Sequence, residues 1–143
     1  MTTYRSKIDH GFWLIMMMVM LPGIFTPIIM KPTIEVSEIL LLILSISLPA
    51  LLIINIYTNT YYTIDEENLS LRIKSGFIIN SRYDISKITK IRNTRTWLSS
   101  PALSLDRIEL TIGKYNKVVI SPRNKAQFIN HLKSLNPDII AEV

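Results

Sequence analysis

The sequence predicts a transmembrane α-hairpin followed by a small β-rich barrel or sandwich of about six to seven strands, closed by a C-terminal α-helix. Three observations carry this expectation. Two long apolar runs stand near the start of the chain, short alternating segments begin at Tyr61, and the spacing of apolar residues becomes helical after Ser121. Composition agrees with a divided chain. Of its 143 residues 19% are charged, against about 25% in an ordinary soluble domain, and mean hydropathy is +0.29.

Residues 1–10 are expected to form an N-terminal cytoplasmic segment carrying Arg5 and Lys7. Gly11 to Met30 then contains twenty residues without a charge, fifteen of them apolar, and a helix of that length reaches about 30 Å, the hydrocarbon thickness of a bilayer. Ile39 to Tyr57 is a second run of nineteen residues, thirteen of them Leu or Ile. Each Leu or Ile favours mid-membrane by roughly 0.3–0.6 kcal/mol, which outweighs Ser45, Ser47, Pro49 and Asn55. A cleaved signal peptide is the competing reading of the first run, but the run is long for one and ends in Thr26-Pro27-Ile28, without a small-residue cleavage site. A domain this small also has no core able to hide a helix that is apolar all round.

Lys31 to Glu38 joins the two runs in eight residues, so the helices at 11–30 and 39–57 are expected to pair as an antiparallel hairpin. Arg5, Lys7, Arg72 and Lys74 flank it on one side and Lys31 on the other. This bias predicts a multi-pass protein of the bacterial cytoplasmic membrane with both termini in the cytoplasm. Neither run contains an ionisable residue, the usual mark of a proton or ion pathway, so anchoring is the expected role.

The water-facing part is expected from residue 61 to 143. Tyr61 to Ile64 forms one strand, and Asp65-Glu66-Glu67-Asn68 turns the chain into a second, in which Leu69, Leu71 and Ile73 alternate with Ser70, Arg72 and Lys74. Ser75-Gly76 allows a tight turn into Phe77-Ile78-Ile79. Ile85, Ile88 and Ile91 recur every third residue, which suits a short helical turn or a bulged strand entry, with Lys87, Lys90 and Arg92 outward. The inward parity changes between Leu105 and Ile108, so a strand start or bulge is expected at Asp106-Arg107. Gly113 to Asn116 turns into Lys117 to Ile120. Ser121 then reads as a helix N-cap with Pro122 at the first helical position, and Phe128, Leu132 and Leu135 lie on one face of a helix that ends at Asn136-Pro137.

The segment Pro101-Ala102-Leu103-Ser104-Leu105-Asp106-Arg107-Ile108-Glu109-Leu110, followed by Val119 to Arg123, Phe128, Leu132 and Asn136-Pro137, resembles the YyaB-like bacterial pleckstrin-homology (PH) domains. The resemblance covers roughly Tyr61 to Ile140. It implies a bent β-sandwich or barrel with a C-terminal helix, and no enzyme activity. It assigns no binding role to the motif residues Pro101, Ala102, Leu103, Ser104, Asp106, Arg107, Ser121, Pro122, Phe128, Leu132 and Pro137. Six strands are legible where the PH fold has seven, and the seventh is expected to be absent or to lie within Trp97 to Ser104.

Chemistry is sparse. Without cysteine the chain has no disulfide and no thiolate nucleophile, and two histidines leave little for a metal. No metal or cofactor is expected. Ser104 lacks a nucleophile-elbow context, His131 reads as a solvated helix residue, and Asp106 with Arg107 reads as a simple ion pair. The net charge of +5 suits nucleic acid in principle, but no recognition motif accompanies it and the chain is tethered to lipid. Seven cations, Arg72, Lys74, Arg82, Lys87, Lys90, Arg92 and Arg95, stand with one acid, Asp84, directly after the membrane runs. They read as a surface facing the bilayer or a partner, although alternation places solvated basic residues on any exposed strand face. The expected function is therefore a non-catalytic membrane-anchored module that binds a protein partner or a second copy of itself. Anionic-lipid binding and immunity against a membrane-active toxin or bacteriocin are the alternatives, and no small-molecule substrate or nucleic acid is expected.

Overall fold

The first strand stands ahead of the apolar runs. The computed structural model describes residues 1–9, 14, 17–18, 20–22, 25, 35–96 and 102–143. Strand β1 (Thr2–Arg5) turns only Tyr4 fully inward, as the two-residue period of a strand requires. Its antiparallel neighbour is β2 (Thr60–Asp65), with Thr2 opposite Ile64 and Arg5 opposite Tyr61. The meander continues through β3 (Ser70–Ser75) and β4 (Ile79–Asp84) to complete a four-stranded sheet in the order β1-β2-β3-β4.

The threefold Ile spacing yields both expected features in succession. Ile85–Lys87 is one 3-10 turn, capped by the Asp84 carboxylate on the Ser86 N–H at 3.0 Å, and β5 (Ile88–Thr94) begins with a register shift between Ile88 and Lys90. Strand β6 starts at Arg107 (Arg107–Ile112) and pairs on its far edge with β7 (Asn116–Ile120). A short β8 (Ile140–Glu142) runs parallel to β5, giving a second sheet in the order β7-β6-β5-β8.

The two sheets enclose Tyr62, Ile64, Leu71, Ile73, Ile91, Ile108, Leu110 and Ile120, and the C-terminal helix supplies Phe128, Ile129 and Leu132. One corner is closed by the chain just after β1. Ser6 bridges Pro122, Lys7 N–H donates to the Ser121 carbonyl at 2.6 Å, and Arg123 N–H donates to the Arg5 carbonyl at 3.0 Å. Among the described residues the sandwich therefore has eight strands, and the two beyond the six read from the sequence are β1 and β8. Residues 102–106 hold no strand, and 97–101, Pro101 among them, lie outside the described residues.

Ser121 does not cap a helix. Its side chain is wholly buried and hydrogen-bonded to Ser6 at 2.9 Å, while its N–H donates to the Tyr62 hydroxyl at 3.2 Å. These bonds hold Ser121 and Pro122 in the extended corner, so the helix begins later, at Lys125 after Asn124. Its end is pinned where expected: Asn136 Nδ2 donates to the carbonyls of Ile85 at 2.9 Å and Ile88 at 3.1 Å.

Helix α1 (Val36–Thr58) covers the second apolar run with 23 residues, about 34 Å of rise, and buries none of them. Glu35 N–H donates to the Glu38 carboxylate at 3.2 Å, which sets the start three residues before the expected Ile39. Among the described residues it is the one helix long and apolar enough to cross a membrane. Most of the first expected span, 11–30, and of its connection to α1 lies outside the described residues, so the expected hairpin partner of α1 does too. We label the C-terminal helix α2 (Lys125–Leu135).

The end of α1 is fastened to the first sheet. Thr60 Oγ1 donates to the Ile56 carbonyl at 2.6 Å and meets Ser75 Oγ at 3.0 Å, and Gly76 N–H donates to the Asn59 carbonyl at 3.1 Å. Gly76 has φ +55°, and a Cβ there would stand 2.8 Å from Asn55 Oδ1. Glycine permits both the turn and the close approach.

Candidate functional site

Strand parity sends Tyr62, Ile64, Leu71 and Ile73 inward, so their neighbours populate the outer face of the first sheet. Across that face the register aligns Arg5, Tyr61, Lys74 and Asn80 in one row, and Thr3, Thr63, Arg72 and Arg82 in another. A shallow cleft of about 480 Å³ lies here, reached by Arg5, Arg72 and Arg82 and bordered by Thr58 at the end of α1. Arg72 Nε donates to Asn80 Oδ1 at 2.8 Å, and Lys74 Nζ stands 5.4 Å from the Tyr61 ring centre. Arg72 and Arg82 are direct cross-strand partners, an arrangement of like charges that disfavours the sheet. Among the described residues, none of Arg5, Arg72, Lys74 and Arg82 forms an ion pair with a carboxylate.

The face is electrically graded. Arg5 and Lys74 lie at the end where α1 enters β2, with Arg123 beside Arg5 and Lys7 paired to Asp106, while Asp65, Glu66, Glu67 and Asp84 occupy the opposite end. Asp65 is the acid that borders the cleft. Asn68 Nδ2 donates to its carboxylate at 2.8 Å, holding its pKa below the ordinary carboxylate value.

The remaining four cations of the expected basic surface lie elsewhere and do not extend this face. Lys87 stands 3.9 Å from Asp84, Lys90 is 2.6 Å from Glu142, and Arg92 is 3.0 Å from Glu109. Arg95 borders a separate cleft with Asp106, Arg107 and Lys125. The seven cations thus divide into three on the first sheet without an ion pair among the described residues and four others, while Arg5 joins the first group from before the apolar segment.

With this geometry in place, a family model described as Bacterial PH domain matches residues 60–136. The chain belongs to the bacterial PH domain family. Neither a curated protein nor a solved structure matched it. The match begins at the first residue of β2 and ends just past α2, so β1 reaches the PH sandwich from outside the matched segment.

Within this PH domain the motif residues are fasteners. Ala102, Leu103 and Ser104 are buried. Leu103 N–H donates to Ser6 Oγ at 3.4 Å, and the Ser104 hydroxyl donates to the Asp9 carboxylate. Asp106 does not pair with Arg107. It binds Lys7 at 2.8 Å and also Lys125, and these two cations hold its pKa below the ordinary value. Arg107 instead donates Nη1 to the Thr96 carbonyl at 2.8 Å and Nε to the Ser104 carbonyl at 2.5 Å; burial lowers its pKa. The block 102–107 therefore grips Ser6 to Asp9, the stretch leading to the first apolar run. Phe128 and Leu132 fill the core, and Pro137 follows the end of α2.

His131, expected in solvent, is a strut between strands. Its Nδ1 meets the Tyr4 hydroxyl at 2.9 Å and its Nε2 meets Glu66 at 3.1 Å, tying β1 and the β2–β3 turn to α2. Burial first and then Glu66 raise the Tyr4 pKa. Among the described residues no group of three His, Asp or Glu side chains is placed to hold a metal ion. PH domains are generally non-catalytic binding modules, and the polar groups described here fasten chain segments or present unpaired charge.

Proposed function

We propose that the protein is a non-catalytic PH module of the YyaB-like kind, carried on a two-helix anchor in the bacterial cytoplasmic membrane. In this reading the cationic end of the first sheet rests on the anionic inner leaflet, and the rest of the domain is offered to a protein partner or a second copy.

One observation carries the proposal: β1 precedes the apolar segment, β2 follows it, and the two are hydrogen-bonded neighbours in one sheet. A chain that leaves the sheet at Arg5 and returns to it at Thr60 must finish on the side where it began, which requires an even number of crossings. If α1 supplies one crossing, a second falls between residues 10 and 35, and Gly11 to Met30 is the run with the length and composition for it. The excess of Arg5, Lys7, Arg72 and Lys74 over Lys31 favours a cytoplasmic domain. Each cation near an anionic surface contributes about 1 kcal/mol, so Arg5, Lys74 and Arg123 together supply about 3 kcal/mol toward one orientation.

Single cysteines in the otherwise cysteine-free chain test the proposal. A membrane-impermeant maleimide on intact cells is expected to label Glu35→Cys, and to label Asn116→Cys only after permeabilisation. Labelling of Asn116→Cys from outside intact cells overturns the orientation, and recovery of the intact chain in a detergent-free high-speed supernatant overturns the anchor.

A further inference from the structure

The turn between β3 and β4 combines an uncovered apolar pair, a close seat against α1 and a flanking cation. Phe77 and Ile78 at its tip are 68% and 66% exposed. The preceding residue, Gly76, is bound through its N–H to the Asn59 carbonyl at 3.1 Å, and a Cβ there would lie 3.2 Å from Ile56 Cγ1. The tip is thus seated against the last turn of α1, whose own apolar side chains are uncovered. Lys74 stands just before the turn and Asn80 just after it, as cross-strand partners.

We propose that Phe77 and Ile78 form a second membrane contact, inserted at the boundary between headgroups and acyl chains beside the C-terminal end of α1. The inference rests on α1 being a membrane span, as proposed above. A helix of 23 residues is about 34 Å long and the hydrocarbon layer about 30 Å, so the turn of α1 around Asn55 to Thr58 falls at that boundary. The hydrogen bond to Asn59 holds the β3–β4 tip at the same height. An apolar pair flanked by a lysine and an asparagine suits this zone, where apolar groups reach lipid while the cation stays at the headgroups. A second copy is the weaker occupant, because a stable protein interface buries about 800 Å² on each partner and two turn residues offer far less. The tip, the helix end and the cation row would then fix the PH domain at several points and suppress its swivelling about the Thr58–Thr60 joint.

The test uses the full chain reconstituted in vesicles of phosphatidylcholine and phosphatidylglycerol, with an environment-sensitive NBD label on single cysteines. Phe77→Cys is expected to give blue-shifted emission, quenched several-fold more by shallow spin-labelled lipid than the label at Tyr115→Cys, an exposed turn residue at the opposite end of the domain. Leu44→Cys, within α1, is expected to be quenched by deep spin-labelled lipid. A water-like label at 77 with a quenched label at 44 overturns the tip proposal alone. Water-like labels at both positions overturn the anchor as well. A shielded but unquenched label at 77, with disulfide-linked dimers of unlabelled Phe77→Cys, overturns the lipid contact in favour of a second copy.

Discussion

Truncating Tyr4 measures how much β1 belongs to the domain that follows the apolar segment in sequence. The ring is buried at 8% exposure, meets Phe128 edge-on at a centroid distance of 5.1 Å, and places its hydroxyl on His131. Removing a buried aromatic ring costs about 3–5 kcal/mol, whereas Tyr4→Phe forfeits only the hydroxyl bond, about 1 kcal/mol. With a urea dependence of about 1.5 kcal/mol/M, Tyr4→Ala lowers the unfolding midpoint by about 2–3 M and Tyr4→Phe by less than 1 M. Pulse proteolysis of the full chain in detergent reads both, because α1 stays in the micelle while the sandwich unfolds. A Tyr4→Ala midpoint within about 0.5 M of the parent refutes the placement of β1 in the core, and with it the argument for an even number of crossings.

Acid weakens the second sheet in a defined sense. Burial pushes the Glu109 pKa up, but Arg92 and Lys117 outweigh it and hold the carboxyl below its ordinary value. Its stabilisation is therefore complete above the unfolded value of about 4.3 and is lost as pH falls through the lower folded value. Urea midpoints measured on either side of that window are expected to fall toward acid in the parent and to fall less in Glu109→Gln. At Arg107, replacing the guanidinium with Lys leaves one ammonium where a fork spans the Thr96 and Ser104 carbonyls. Arg107→Lys is expected to cost about 1–3 kcal/mol and to expose residues 102–106 to limited proteolysis, with cleavage sites mapped by mass spectrometry.

What could be read from the sequence follows how each element announces itself. Strands β2, β3 and β7 and helix α2 carry several apolar residues at a fixed period, and all lie close to where the pattern puts them. Strand β1 has four residues and one wholly inward side chain, Tyr4. Its Arg5 is adjacent in sequence to the membrane run and reads as a topology signal rather than as a strand residue. Alternating Thr2-Thr3-Tyr4-Arg5, rich in β-formers, is the signal that was there to find. At the candidate site, Arg72 and Lys74 share a face by simple parity, and Arg82 joins them through the tight turn. Lys90 and Arg92 showed the same local pattern, but Glu142 and Glu109 neutralise them from distant parts of the chain. The N-cap expected at Ser121 failed for a related reason: its groups are claimed by Ser6 and Tyr62, partners that arrive only when β1 folds back.

Because β1 and β2 flank the apolar segment, the sandwich has an order of construction. During synthesis Tyr4 emerges well before its partners Phe128 and His131, and it waits without them while the intervening residues are made. The domain then closes around a strand that the whole apolar segment separates from the rest of its sheet. A cut between Thr58 and Thr60 leaves the edge strand held to its sheet by the β1–β2 hydrogen bonds and the packing of Tyr4 alone.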